Sequence, residues 1–146
     1  MKHRLAIIGY GGMGAWHHQN LKERVPAIEV VGAYDVRQEA QDKAVEAGLK
    51  AYASQAELLA DPSINLVTIA TPNNFHRDIS IAAMEAGKHV VCEKPVTLNA
   101  KELEDIIAAS KRTGKLFSIH QNRRWDKDYR IVRKAIEEGI IGKPYF

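Results

Sequence analysis

Short apolar runs alternate along this chain with longer amphipathic ones. Leu5 to Ile8, Ile28 to Tyr34, Leu66 to Ala70, Val90 to Cys92 and Leu116 to Ile119 have strand length and are rich in Val, Ile or Leu. That is the pattern of strands buried on both faces of a parallel sheet. Between them, Phe75, Ile79, Ala82, Ala83 and Ala86 recur at helical spacing, as do Leu103, Ile106, Ile107 and Ser110, so each segment has one core-facing stripe. Ser54 with Glu57, and Asn99 with Glu102, have the spacing at which a side-chain oxygen caps an orphan N–H at a helix start. Gly48, Gly87 and Gly114 fall where left-handed C-caps are expected, each shortly before a strand. Tyr129, Val132, Ile136 and Ile140 mark a further helix, and the closing Gly142-Lys143-Pro144-Tyr145-Phe146 reads as the start of an aromatic strand. The repeated βαβ alternation predicts an α/β fold with a doubly wound parallel sheet over residues 1–120 and a connecting loop and helix over 121–146.

Composition narrows the class without changing that picture. With 146 residues, 45% hydrophobic and 27% charged, the chain has the size and balance of one globular domain. A lone cysteine, Cys92, cannot form an intramolecular disulfide, so the expected compartment is the cytoplasm. The basic start Met1-Lys2-His3-Arg4 is followed by too short an apolar run for a secretory signal, and no stretch is long enough to cross a bilayer. Net charge is +3 and the basic residues are scattered among acids, Arg123 and Arg124 being the one adjacent arginine pair, so a nucleic-acid partner is not expected.

Candidate chemistry begins after the first strand. Gly9-Tyr10-Gly11-Gly12-Met13-Gly14 sets Gly9, Gly11 and Gly14 in the G-x-G-x-x-G frame ahead of a helical segment. The first glycine makes a tight turn, the second lets backbone approach a pyrophosphate, and the third lets helix and strand pack closely, as in a Rossmann dinucleotide site. Asp35, 21 residues beyond Gly14 at the end of the second strand, is placed to accept hydrogen bonds from ribose hydroxyls and to repel a 2′-phosphate. NAD is therefore expected in preference to NADP. Arg37 leaves three readings open: it neutralises a phosphate, lies over the adenine face, or is solvated.

The remaining unusual residues collect at strand exits, where open α/β sheets bind ligands. Thr71-Pro72-Asn73-Asn74-Phe75-His76 follows the strand ending at Ala70, Glu93-Lys94-Pro95 the one ending at Cys92, and His120-Gln121-Asn122-Arg123-Arg124 the one ending at Ile119.

Together with the glycine loop, these runs resemble the glucose-fructose oxidoreductase, inositol dehydrogenase and MocA-like family (Gfo/Idh/MocA) across essentially the whole chain. The resemblance implies an NAD-dependent dehydrogenase that moves hydride between nicotinamide and a sugar, polyol or related cyclic alcohol. It places Lys94 between nicotinamide and substrate, as a catalytic group sharing the hydroxyl proton, with a cis bond to Pro95. Expected cofactor contacts are Gly9, Tyr10, Gly11, Gly12, Met13, Gly14, Asp35, Arg37, Thr71, Pro72, Asn73, Asn74, His76, Glu93, Lys94 and Asn122, with no metal. Glu93 is expected to orient the ribose or Lys94. For several of these a plainer role stays open: His76 as helix-terminal packing, Asn73 and Asn74 as caps, Glu93 as a surface acid, Lys94 as an exposed loop lysine beside a turn proline. Arg123 and Arg124 either line the nicotinamide end or bond loop carbonyls. Family members continue into a second α/β domain that walls the substrate site. This sequence is expected to be the cofactor domain alone, to bind NAD with little turnover by itself, and to tend to self-association as a homo-oligomer.

Two other classes compete. A non-catalytic NAD-binding module fits the short length, although an intact Glu93-Lys94-Pro95 argues for chemistry. A methyltransferase also uses a glycine loop, but its chemistry does not call for Lys94. His17 and His18 sit side by side on a helix and so point to different faces, which reads as packed or surface histidines and not as a metal site. Trp16 and Trp125 are expected in the core or the pocket wall.

Overall fold

The computed structural model describes residues 2–143 and 145. Six parallel strands, β1 (His3–Ile8), β2 (Ile28–Tyr34), β3 (Lys50–Ala51), β4 (Leu66–Ile69), β5 (His89–Cys92) and β6 (Phe117–Ile119), form one sheet in the order β3-β2-β1-β4-β5-β6. Helices α1 (Gly12–Arg24), α2 (Gln38–Glu46), α3 (Gln55–Ala60), α4 (His76–Glu85) and α5 (Ala100–Thr113) make the crossovers. This is the doubly wound Rossmann arrangement, and its chain reverses direction across the sheet between β1 and β4.

Both faces of the sheet are buried, which is why its strands lack polar alternation. On β1, Ala6 and Ile8 join a core with Val67, Ile69, Met84 and Ile106, while Leu5 and Ile7 join Ala33, Ala44 and Leu49 on the other side. The predicted caps form: Ser54 Oγ accepts from the Glu57 amide at 3.0 Å, and Asn99 Oδ1 from the Glu102 amide at 3.0 Å. Gly48, Gly87 and Gly114 take φ of +86°, +80° and +66°, which ends each preceding helix without the Cβ clash another residue would suffer.

Several expectations need correction. β3 carries no apolar run and was not expected; it is held by its neighbour Tyr52, which is 2% exposed, donates to Asp61 Oδ2 at 2.7 Å and packs where a Cβ on Gly32 would stand. The core stripe of α5 runs through Ile106 and Ala109, leaving Ile107 43% exposed, because the helix meets the sheet on a narrower front than a four-residue stripe assumes. Phe75 lies before α4 in a 3-10 turn that Pro72 introduces, and is exposed. The last helix, α6 (Lys127–Glu137), stops before Ile140 because Gly139 turns left-handed with φ +72°. It buries none of its residues. The aromatic strand expected at the end of the chain lies partly outside the described residues. Among the described residues no helix is long and apolar enough to cross a membrane.

Among the glycines, the closest approach joins α1 to the exit of β1. A Cβ on Gly14 would stand 2.2 Å from the Gly9 carbonyl oxygen and 3.2 Å from Ile7 Cγ2. Backbone cannot give way there as a side chain can. Gly14→Ala is expected to cost about 3 kcal/mol in denaturant unfolding, whereas Gly12→Ala, with nothing within 4 Å of its Cβ, should cost little.

Candidate functional site

Gly9 leaves β1 with φ +93°, and its own Cβ position is 2.7 Å from the Ala70 carbonyl carbon, so the glycine loop is pressed against the β4 exit. The chain then enters α1 with Gly11 as N-cap, no capping side chain and no acid in the first turn. The first helical bond is Ala15 N–H to Gly11 O at 2.9 Å. The amides of Gly12, Met13 and Gly14 are therefore left without intrahelical acceptors, at the positive end of the helix dipole. Over Gly11 the space is open except for the Arg37 Nη2 tip, 3.1 Å from where a Cβ would be.

Across the loop, Asp35 is 6% exposed and gripped by Arg37. The Arg37 amide and Nε donate to Oδ1 at 3.0 and 3.1 Å, and Nη2 donates to Oδ2 at 3.2 Å. Burial alone would raise the Asp35 carboxyl, but the Arg37 donors outweigh it and hold the group below its ordinary value. A cleft of about 880 Å³ opens between the exits of β1, β2 and β4, lined by Gly9, Gly11, Asp35, Arg37, Thr71 and Pro72 among others. Thr71 Oγ1 is buried with no hydrogen-bond partner. The lining also includes Val36, Gln55 and Asp78, which sequence reasoning did not single out, and Phe75 and Ile79, which it read as a helix core stripe. Wall residues of such mixed chemistry carry no motif.

The other expected residues lie elsewhere along the same sheet edge or turn inward. Tyr10 is buried and its hydroxyl bonds His18 Nδ1 at 2.8 Å, so the backbone alone belongs to the loop; Met13 is exposed. His76 is 1% exposed, with Nδ1 3.0 Å from Pro95 O and Nε2 2.9 Å from Thr71 O. Of its two open readings, packing describes this geometry: it ties the β4 and β5 exits together. Asn73 and Asn74 make no capping hydrogen bond. Asn122 is half-buried in a 3-10 turn after β6, and Arg123 pairs with Asp126 at 2.8 Å instead of a loop carbonyl. Trp125 is 78% exposed, in neither core nor cleft wall, because the turn that carries it lies off the sheet. Trp16 is part-exposed, its ring 5.4 Å from that of His17 and 5.9 Å from that of His120.

At the β5 exit Lys94 is exposed and its bond to Pro95 is cis. Glu93 beside it is 6% exposed, so it is not a surface acid: its carboxylate turns inward to partners on other elements. Its Oε1 lies 2.8 Å from His17 Nε2 and 2.8 Å from His120 Nδ1, while Oε2 accepts the Lys94 amide at 3.1 Å. Sequence gave no sign of this cluster, since His17 and His120 stand 76 and 27 residues from Glu93. Burial pushes Glu93 up, yet the His17 and Lys94 donors and His120 hold it below the ordinary carboxylate value. Burial lowers His17 in spite of Glu93.

The description "oxidoreductase family, NAD-binding Rossmann fold" (GFO_IDH_MocA) matches residues 3–121. The chain belongs to this family. It is 35% identical over 144 residues to a myo-inositol 2-dehydrogenase of Thermotoga maritima, covering 97% of this chain and 43% of that protein. An NAD-binding protein from Listeria innocua superimposes with a TM-score of 0.93 at 45% identity, over 98% of this chain and 42% of that one. A WlbA dehydrogenase from Chromobacterium violaceum, solved with NADH and UDP-GlcNAcA, does so with a TM-score of 0.92 at 27% identity, over 99% and 42%. This oxidoreductase domain thus spans about two fifths of the length of these relatives, and its cofactor is NAD.

The depressed His17 gives a pH dependence of definite sign. Its folded-state value lies below the ordinary 6.5, so on acidification the unfolded chain takes the proton first. The His17 contribution is complete above pH 6.5 and is lost as pH falls from there toward the folded value. Urea midpoints should drop between pH 8 and pH 5.5, and His17→Gln, which cannot titrate, should flatten that drop. An equal drop in the variant would exclude His17 as its source.

Proposed function

We propose that the domain binds NAD(H) along the exit edge of the sheet, within an oxidoreductase that oxidises a secondary alcohol of a sugar, polyol or related cyclic compound. One observation carries this reading: an uncapped helix start and an open Gly11 face a buried ionised Asp35 across a cleft of dinucleotide size. The residues present fit the cofactor. A Cβ at Gly11 would fill the space where backbone must approach a pyrophosphate, and Thr71 Oγ1 is a buried polar atom without a partner in the cleft lining.

In this reading the amides of Gly12, Met13 and Gly14 take the pyrophosphate oxygens. Asp35 accepts from the adenosine ribose, with Arg37 neutralising part of its charge and lying beside the adenosine. Tyr10 and His76 act from behind, the first by anchoring the loop on α1 and the second by bracing the exits of β4 and β5. Thr71, Pro72, Asn73 and Asn74 border the middle of the cofactor, and Glu93, Lys94 and Asn122 its nicotinamide end. The bound cofactor supplies a hydride acceptor. Lys94, exposed at the β5 exit, takes up the alcohol proton in its neutral amine form as the hydride leaves. Residues 1–120 form the cofactor domain and 121–146 its connection. The uncovered apolar residues of α6, among them Tyr129, Val132 and Ile136, support packing against a second domain or a second copy. NAD-dependent polyol chemistry and a single buried Cys92 support a cytoplasmic setting.

Fluorescence titration with NADH tests the reading. Gly11→Val should fold as the native chain does, because its Cβ meets the far end of the long Arg37 side chain alone, and should lose NADH binding by about tenfold or more. Undiminished affinity in a folded variant would exclude the glycine loop as the phosphate site.

Cofactor choice gives a second test. Asp35→Ser removes the charge that opposes a 2′-phosphate and frees the Arg37 guanidinium now held on it. The NADH over NADPH preference should narrow or reverse. A native chain that binds NADPH more tightly at moderate salt would overturn the role given to Asp35.

A further inference from the structure

Glu93 is a buried carboxylate held by three elements at once. His17 comes from α1, the helix whose start forms the glycine loop; His120 comes from the β6 exit; and the Lys94 amide follows Glu93 in the chain. The strand register sets this meeting. Cys92 and Ile119 are paired across β5 and β6, and His120 N–H donates to Cys92 O at 2.8 Å, so Glu93 and His120 leave the sheet side by side. The imidazole rings of His17 and His120 stand edge to face, 4.6 Å apart, under the half-exposed Trp16.

An ionised carboxylate accepts hydrogen bonds and cannot donate them, so each nitrogen facing Oε1 carries its proton. That fixes the tautomers: His17 is protonated on Nε2 and His120 on Nδ1. With both rings neutral the cluster keeps one negative charge. We propose that His17 and His120 are positioning residues that hold the Glu93 carboxylate fixed beside Lys94, so that its charge favours oxidised over reduced nicotinamide at the β5 exit. The proposal rests on the NAD(H) reading above. Oxidised nicotinamide carries a positive charge that the reduced ring lacks, and a fixed carboxylate in a poorly solvated corner discriminates between them.

The other groups around the cluster are accounted for. On α1, His18 is turned away to the Tyr10 hydroxyl, with Lys22 acting on it. On β5, Cys92 is buried and pushed up to about 12 by desolvation, so it stays a neutral thiol. Lys94 is exposed after Glu93, Arg123 and Arg124 are exposed after His120, and His76 of α4 reaches the chain at Pro95 O.

The test titrates three ligands, NAD⁺, NADH and ADP-ribose, at pH 8 against this chain and its variants. ADP-ribose lacks the nicotinamide ring and reports cofactor binding apart from the cluster. The NAD⁺ to NADH affinity ratio should fall about tenfold in Glu93→Gln, which removes the charge, while ADP-ribose affinity changes little. In the double variant His17→Gln, His120→Asn, whose side-chain amides still donate, the ratio should stay near the native value, whereas His17→Leu, His120→Leu, which cannot donate, should lower it. An unchanged ratio in Glu93→Gln, or a ratio in the amide variant as low as in the leucine one, would overturn the proposal. Should either double variant fail to fold, histidine ¹⁵N–¹H spectra of the native chain decide: at pH 8 His17 must carry its proton on Nε2 and His120 on Nδ1, and the opposite tautomer at either refutes it. Failure of ADP-ribose to bind would instead refute the NAD(H) reading, and this proposal with it.

Discussion

The contact between Gly14 and the Gly9 carbonyl governs this domain. Because neither residue has a side chain there, α1 starts directly on the end of β1, and a Cβ at Gly14 would stand 2.2 Å from that oxygen. Two consequences follow from one approach. The first turn of α1 is delivered to the switch point of the sheet with its amides unpaired, and the helix lies close enough to the sheet for its buried face to be made of Gly14, His17 and His18 and not of large apolar residues. The cofactor loop and the histidine that reaches Glu93 are products of the same packing.

Charge is handled in the same economical way at both ends of the edge. Asp35 and Glu93 are each 6% exposed, and each is kept ionised by donors from its own neighbourhood. At Asp35 the donors come from Arg37, two residues on, so the grip is local and travels with the loop. At Glu93 the Lys94 amide is local but the two imidazole donors come from α1 and the β6 exit, so most of the grip is tertiary and depends on how the two elements are docked. A buried carboxylate without such partners would take up a proton and lose the role proposed for it.

Much of the fold was legible in the chain because its determinants are local. A parallel strand buried on both faces must be a short Val, Ile or Leu run, and a helix must have caps and a stop, so β1, β2, β4, β5, β6 and the caps at Ser54 and Asn99 show in the pattern of residues. The glycine frame followed by Asp35 is legible for the same reason: its steric demands fall on neighbours in sequence. β3 was not, since two residues with no apolar run are held in the sheet by Tyr52 packing onto Gly32. Ile107 and Phe75 were misjudged because a helical stripe gives a direction but not the width of the surface that meets it.

The sequence by itself determined a doubly wound sheet, the placing of a glycine loop at the head of its first helix, and the acid at the end of β2, because each is a demand of backbone geometry on residues close in the chain. Tertiary structure alone decided that His17, Glu93 and His120 meet at one oxygen, that His76 is a brace between two loops, and that Trp125 faces solvent. Those outcomes depend on the register of β5 against β6 and on the depth at which α1 settles on the sheet. Both are fixed by packing between residues tens of positions apart, and no local pattern of polarity records them.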